Sequence, residues 1–434
     1  MNGKIILTIL FLTVSLLPLR AQEKPLEWDL RTCIEYARQQ NIQIRKSRIM
    51  LEENRESLKE AKSQRLPSLA FSSTQNYTNR PMADGDKNTY SGSYDLSASM
   101  SLFQGGELKK NVQQLGLQNR VQELTVEEAE NNIELSITQA YIQILYADET
   151  VNVNEATVEV SKAQLDRGKE LFAAGSLSKA DLAQLEAQYA SDKYQLVLSQ
   201  STLDNARLDL KQLLELGIND EMVLVIPELK DEDVLVVLPS KESIYAASLE
   251  IMPEVEYNRL NIQIAGIAKE KAWAGYLPSL RLSAGVGTSH ASGNSGSSQI
   301  KNNWSENIGL TLSVPIFSNR SVKTSVNLAR LGVEDAELDY ENVQKDLLKS
   351  IEGVYQDAIS AQDQFRSALE NLKAAELSFE LTQEQFFLGM KNTVEMLTEK
   401  NNLVSAQLGL LQAKYMAVLN CQLLNFYEGK EIDL

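Results

Sequence analysis

Hydrophobic and polar positions alternate with a period of two in four segments of the chain, which predicts four β-strands. These segments cover residues 68–78, 88–103, 279–289 and 303–316. In the second segment the even positions from Tyr90 to Leu102 are apolar or glycine, while most odd positions are serine. Each strand therefore has one apolar and one hydroxyl-rich face. Such strands fit either a membrane barrel, with lipid outside and water inside, or a soluble antiparallel sheet with one wet face.

A long helical segment follows each predicted strand pair. All nine prolines lie outside residues 82–226 and 316–434, and proline breaks helix interiors, so both windows can hold long helices. Apolar residues there recur in steps of three and four, as in Ile133, Ile137, Ala140 and Ile144, which is typical of coiled-coil seams. Each window is interrupted at one glycine that can end a helix, Gly175 or Gly389. The pattern predicts two antiparallel coiled-coil hairpins with tips near residues 175 and 389.

These elements occur twice along the chain. Leu66-Pro67-Ser68-Leu69 recurs 211 positions later as Leu277-Pro278-Ser279-Leu280, and Gly175 recurs 214 positions later as Gly389. The near-constant offset predicts two internal repeats, with three additional residues in the strand-loop-strand part of the second.

The repeats define an organisation for the whole chain. We expect the first repeat at 22–216, with its strand pair at about 67–103, and the second at 243–425, with its strand pair at about 278–316. Surface loops join the paired strands at 79–87 and 291–302, and the second of them is rich in glycine and serine. Between the repeats, short β-prone runs among prolines predict a small mixed α/β segment at 217–242, at mid-height of the hairpins. Residues 426–434 form a C-terminal tail.

The N-terminus has the features of a secretory signal peptide. Lys4 precedes an apolar run, and Ala21 supplies a small residue at a cleavage site, so we expect removal of residues 1–21. No later segment has the ~20 apolar residues that a membrane-spanning helix requires. The formal net charge of −17 argues against a nucleic-acid partner.

The sequence contains few residues that could indicate catalysis or the binding of a metal or cofactor. The single histidine, His290, has no partner histidine, and the sequence contains no phosphate-binding glycine motif, nucleophile elbow or metal-ligand spacing. We therefore expect no enzymatic activity, cofactor or metal. Cys33 and Cys421 lie near opposite ends of the chain and are either free thiols or a single disulfide.

Taken in order, these features resemble the outer-membrane efflux protein family, the TolC-like exit ducts. The resemblance rests on the duplicated unit, on the two glycine-tipped hairpins, and on Leu102-Phe103-Gln104-Gly105-Gly106 at the end of the second strand. It covers about residues 27–426. Four strands cannot close a barrel in lipid, so the chain must assemble if its strands enter a membrane.

The family resemblance implies a mainly α protein with a β-barrel part, in which three copies form a twelve-stranded barrel in outer-membrane lipid. The hairpins would continue as a helical tunnel into the periplasm. The implied partners are two further copies of the chain, a periplasmic adaptor protein, and an inner-membrane pump of the RND or ABC type. The duct would serve a tripartite efflux pump or a type I secretion system. The alternative is a periplasmic coiled-coil scaffold or adaptor without a membrane barrel.

The resemblance also assigns roles to residues near the hairpin tips. In the family an acid after the first tip pairs across subunits with a base after the second, and here these positions are Asp181 and Lys391. Phe386 stands where some members have a tyrosine of the same network, and Glu395 matches an acid that rings the narrowest point. The alternatives are solvated charges for the three ionisable residues and simple packing for Phe386. The expected adaptor-docking turns are Gly175-Ser176-Leu177 and Gly389-Met390-Lys391.

Overall fold

The computed structural model describes residues 27–434 apart from 83, 86, 228, 231–233, 293–295 and 433, so the predicted signal peptide lies outside the described residues. The first half contains β1 (Glu27–Trp28), α1 (Leu30–Gln40), α2 (Ile42–Ser63), β2 (Ser68–Asn79), β3 (Asn88–Gln104), α3 (Glu107–Ala173) and α4 (Lys179–Leu213). After β4 (Val223–Leu224), the second half contains α5 (Lys241–Ile251), α6 (Pro253–Ala274), β5 (Ser279–Ala291), α7 (Gly296–Asn302), β6 (Ser305–Ser313), α8 (Ser321–Phe387) and α9 (Thr393–Glu428).

The two halves share one order of main elements, two helices, a strand pair and a long helical hairpin, which confirms the predicted duplication. Each begins with helices of 11 and 22 residues. Each continues after its strand pair into a helix of 67 residues, α3 or α8, which is about 100 Å long at 1.5 Å per residue. The return helices α4 and α9 have 35 and 36 residues.

The loop between β5 and β6 differs from the irregular loop expected at 291–302. It contains α7, and the side chain of Gln299 bonds the backbone N–H and C=O of Ala291 at 2.7 and 2.9 Å. Asn303 donates to the carbonyl of Ser289 at 2.8 Å. Side-chain amides therefore fasten this short helix to the end of β5.

The four long strands form one antiparallel sheet in the order β2-β3-β5-β6, so the pairing of β3 with β5 joins the two repeats. Its register confirms the predicted alternation. One row across the sheet is Leu69, Ala98, Ala284 and Ile308, and the adjacent row is Ser68, Ser99, Ser283 and Gly309. Strand β6 ends at Ser313, earlier than its alternation implies, because Pro315 has no N–H for the ladder and restricts the residue before it.

The described residues of the mid-height segment, 217–242, pack on the middle of the long helices. Val223 and Leu224 pair in parallel with Glu27 and Trp28. The hydroxyl of Tyr141, near the centre of α3, donates to the carbonyl of Val225. From α8, the Gln362 amide donates to the carbonyls of Val234 and Val236 at 3.1 and 2.9 Å. The segment therefore joins both hairpins, because its backbone carbonyls accept hydrogen bonds from a side chain of each.

Both cysteines are free in the described part of the chain, so the alternative of a single disulfide is wrong. Cys33 is fully buried in the main core, and burial raises the pKa of its thiol to about 12. Cys421 lies 3.9 Å from the Gln362 amide nitrogen, and burial also raises its pKa. Among the described helices none is long and apolar enough to cross a membrane.

Candidate functional site at the hairpin tips

Both hairpins turn with the same hydrogen-bond pattern. Gly175 donates to Phe172 at 3.0 Å, and Ser176 donates to Leu171 at 2.9 Å. The second tip repeats this arrangement, with Gly389 N–H on Phe386 and Met390 N–H on Gln385 at 2.9 and 2.8 Å. The two glycines have φ of +75° and +73°, the left-handed conformation of a Schellman C-cap. No heavy atom lies within 4 Å of a Cβ built on either glycine, so conformation and not space requires glycine there.

The two predicted gate acids occupy equivalent positions, 214 residues apart, in the first turns of α4 and α9. The hydroxyl of Ser178 caps α4 by accepting from the Asp181 N–H at 3.1 Å, and it lies 2.6 Å from the Asp181 carboxylate. Asn392 and Glu395 form a reciprocal capping box at the start of α9, with bonds of 2.9 and 3.1 Å. Each acid therefore stabilises the beginning of its helix.

Electrostatics keeps both acids ionised. The hydroxyl of Ser178, and secondarily that of Thr393, lowers the pKa of Asp181. The ammonium of Lys391, with the backbone N–H of Asn392, lowers the pKa of Glu395. A lowered carboxyl pKa stabilises the fold above the unfolded-state pKa, and this contribution is lost as pH falls through the folded-state value.

Lys391 and Glu395 are brought together within one chain. The Lys391 ammonium lies 2.7 Å from a Glu395 carboxylate oxygen, in an i,i+4 pair that is about two-fifths exposed. The family resemblance assigns them separate roles: Lys391 would pair with Asp181 across subunits, and Glu395 would line the narrowest point of the passage. Within the single chain Lys391 is already paired with Glu395. Asp181 is bonded to the Ser178 hydroxyl. The pairing of Asp181 with Lys391 across subunits remains a prediction.

Phe386 packs in an apolar cluster that joins the two hairpins just above their tips. Its ring is 9% exposed and lies with Leu165 and Leu185 of the first hairpin and Met396 of the second. This is the packing alternative from the sequence. Leu177, the last residue of the first expected docking turn, is half-buried against the same cluster. A Cβ on Gly168 would collide with Leu185, so this glycine permits the close approach of α3 and α4.

The two tips differ in surface chemistry. Around the second turn four apolar side chains are exposed: Phe387, Leu388, Met390 and Val394 are 46, 74, 70 and 55% exposed. The first turn exposes Gly175 and Ser176, with Phe172 at its edge. The second turn therefore presents more large exposed apolar side chains than the first.

Farther from the tips lies a buried polar cluster that sequence analysis missed. The Lys400 side chain is 2% exposed and that of Asp192 is 11% exposed, and the two form an ion pair between α9 and α4. The Lys400 ammonium also donates to the Ser161 hydroxyl of α3 at 2.5 Å, and that hydroxyl bonds Asp192. Burial lowers the pKa of Lys400, and Asp192 opposes this effect. In sequence, Lys400 stands in a charged and polar run and resembles a solvated residue.

Glu306 is a second residue that sequence analysis passed over. The sheet register places it in one row with Phe71, Leu96 and Val286, on the apolar face. Its carboxylate accepts from the indole N–H of Trp304 at 3.0 Å. The alternation in the sequence already indicates that Glu306 lies on the apolar face, because residues 304, 306 and 308 are alternate positions of one strand.

Comparison with known proteins gives a consistent result. The family described as outer membrane efflux protein matches residues 33–215 and 248–427. Outer membrane protein TolC of Escherichia coli is 23% identical over 403 residues, covering 90% of this chain and 80% of its own length. The proteases secretion protein PrtF of Dickeya chrysanthemi is 22% identical, with 88 and 84% covered. The crystal structure of CusC superposes with a TM-score of 0.79 at 19% identity, covering 93% of this chain and 92% of CusC, so the two share a fold.

Proposed function

Since this chain belongs to the outer membrane efflux protein family, we propose that three copies of it form an exit duct that carries substrates through the outer membrane. The strands of each copy would contribute to one barrel, and the hairpins would extend the passage into the periplasm. The family consists of transport proteins and not of enzymes.

The open-edged sheet carries this proposal. Strands β2 and β6 each have one neighbouring strand within the described chain, so each leaves one backbone edge free for another copy. Leu69, Phe71 and Ile308 on the apolar face are 71, 67 and 79% exposed. A free edge and an apolar face are both unfavourable in water, and lipid cannot satisfy the edge. Pairing β6 of one copy with β2 of the next would close about twelve strands and satisfy the free edges, and lipid would then cover the apolar face.

The hairpin tips are the proposed contact with the rest of the transport system. They lie at the end of the molecule opposite the sheet, about 100 Å away along α3 and α8. We place the periplasmic adaptor protein at Gly175-Ser176-Leu177 and Gly389-Met390-Lys391, and an inner-membrane pump of the RND or ABC type beyond it. The gate residues would be Asp181, Phe386, Lys391 and Glu395, with Phe386 acting through packing.

Mass measurement of the protein extracted in mild detergent tests assembly, and we expect a trimer. Membrane fractionation tests insertion, because an integral barrel stays in the membrane pellet after a carbonate wash. A monomer released by carbonate would refute the duct and favour the periplasmic scaffold. Affinity capture after crosslinking through a cysteine at the second tip then identifies the adaptor.

A further inference from the structure

We propose that a cleft between the C-terminal end of α2 and the adjoining end of the sheet binds a zwitterionic substrate. Arg281 would take the anionic group of this substrate and Glu60 its cationic group. The role of the cleft in transport rests on the proposed function, because the cleft would hold a molecule on its way through the duct. The cleft itself is formed within a single chain.

The cleft is open and has a volume of about 430 Å³. The end of α2 contributes Glu60 and Ser63 to one wall, and the sheet contributes Arg281 to the other. The register places Arg281 of β5 opposite Ser101 of β3 and Thr311 of β6, on the hydroxyl-rich face. In the proposed barrel this face lines the passage, so the cleft would open toward passing substrates.

Charged side chains are rare on the hydroxyl-rich face of the sheet. Among the described strand residues of this face, two are charged, Asp95 and Arg281. Asp95 lies opposite Gly287, which is six positions beyond Arg281 on β5, or about 20 Å away at 3.3 Å per residue. Arg281 is therefore the one cation that the described strands of each chain present on this face.

The cleft carries one charge of each sign, on opposite walls. Glu60 and Arg281 are both exposed, and in the described part of the chain neither has an ion-pair partner within 4.0 Å. Lys62 is in the same turn as Glu60 but does not line the cleft. The C-terminal end of a helix favours a positive charge, so α2 assists Glu60 in attracting a cationic group.

The chemistry of the two walls defines the class of ligand. The guanidinium of Arg281 offers N–H donors in a planar fork that matches the two oxygens of a carboxylate or phosphate. The carboxylate of Glu60 accepts hydrogen bonds from an ammonium. A small molecule that carries both an ammonium and a carboxylate would therefore satisfy both walls at once.

The backbone beside Arg281 is irregular. Strand β3 has a bulge between Ser101 and Phe103, directly opposite Arg281 and Leu280 of β5. A bulge bends its strand and re-aims nearby side chains, and bulges are over-represented beside functional sites. The bend of the sheet at the level of the cleft is therefore a second observation that supports a binding site there.

The duplication of the chain does not supply this pair of charges. The offset of 211 residues relates Arg281 to Ala70 and Glu60 to Lys271. The Lys271 ammonium donates to two side-chain amide oxygens of α3 at 2.8 and 2.9 Å. The second half therefore has no equivalent pair, so each protomer has one such cleft and the proposed trimer has three.

Saturation-transfer NMR on the full-length protein in detergent tests binding. The probes are glycylglycine, a zwitterion, and N-acetylglycine and glycinamide, which carry the anionic or the cationic group alone. Glycylglycine should bind more tightly than the other two. Arg281→Gln and Glu60→Gln should each weaken its binding about two- to fivefold, as expected for exposed charge pairs. Weak binding suits a duct, because the substrate must leave as readily as it enters.

Exchange of the two charges tests whether charge or side-chain shape determines binding. The double variant Glu60→Arg, Arg281→Glu should bind glycylglycine as the parent does, because the ligand can reverse its orientation. Asp95→Asn removes the other charge of the same face and is the matched control, with binding unchanged. Equal affinities for the three probes, single variants that bind as the parent does, a double variant as weak as the single variants, or weaker binding by Asp95→Asn would each overturn the proposal.

Planar-bilayer recordings separate failure of the cleft from failure of the proposed function. Glycylglycine should increase current fluctuations in the parent channel and not in Arg281→Gln. If the parent forms no channel, the proposed function fails, and the NMR measurement still decides whether the cleft binds the zwitterion. A conducting parent channel whose current does not respond to glycylglycine would overturn the role of the cleft in transport.

Discussion

Replacement of the second tip glycine by alanine should destabilise the protein through backbone conformation alone. Gly389 has φ of +73°, and an added Cβ has no heavy atom within 4 Å, so Gly389→Ala introduces strain without a clash. The left-handed conformation costs an L-residue about 1–2 kcal/mol. Alanine also lowers the conformational entropy of the unfolded chain, which offsets about 0.4–1 kcal/mol of this cost. The expected net loss is about 1 kcal/mol per protomer. Gly389→Asn should lose less, since asparagine tolerates this conformation.

The chain supplies matched controls of opposite sign. Gly332 lies inside α8 with equally open space around an added Cβ and without a positive φ. Gly332→Ala should therefore stabilise the protein by about 0.5–1 kcal/mol. Arg320, with φ of +67°, stands where the first repeat has Gly106 with φ of +84°, so Arg320→Gly should also stabilise it. Unfolding midpoints followed by far-UV circular dichroism test all variants. Shifts of the same sign for Gly389→Ala and Gly332→Ala would refute the conformational argument.

Three further predictions concern the passage and its surfaces. Because Lys391 already neutralises Glu395, Lys391→Met should leave three free carboxylates in the trimer and increase cation preference, whereas Glu395→Gln should shift selectivity toward anions. Reversal potentials in a salt gradient test this, and shifts of the same sign would place the pair away from the constriction. An epitope tag after Met82 should be labelled on intact cells and one after Gly175 should not; the reverse pattern would contradict the topology. Met390→Glu, at a side chain 70% exposed, should abolish export with trimer mass unchanged, while Met82→Glu at the 97% exposed opposite end should have no effect; normal export by both would exclude docking at the second tip.

Most of the fold can be predicted from the sequence, because the signals for its strands and helices lie within each element and recur in the second repeat. The alternation of β3 is local, and so is the glycine that ends α3 or α8. The capping box of Asn392 and Glu395 is also readable from its spacing, as is the i,i+4 pair of Lys391 with Glu395. The charge state of the proposed ring could therefore have been anticipated from the sequence.

The buried polar cluster of Lys400, Asp192 and Ser161 could not be anticipated in this way. Lys400, Asp192 and Ser161 are separated by more than 200 and by 31 positions along the chain, and each stands in a helix whose local pattern is polar. Their burial results from three helices meeting, and the meeting depends on contacts such as that of Gly168 with Leu185. Periodicity identifies the buried stripe of a helix but not the polar group that a distant helix presents to it.

The pairing of Glu27 and Trp28 with Val223 and Leu224 has a consequence for the order of folding. The first described strand finds its partner almost 200 residues later, and Trp28 shares one core with Ile432. Contacts between such distant residues close large loops and form slowly, whereas each helical hairpin needs only neighbouring residues. We therefore expect the hairpins to form early. The contacts of the mid-height segment should form last, after the whole chain has been synthesised. Until then the indole of Trp28 stays uncovered, and the nascent protein depends on protection from aggregation.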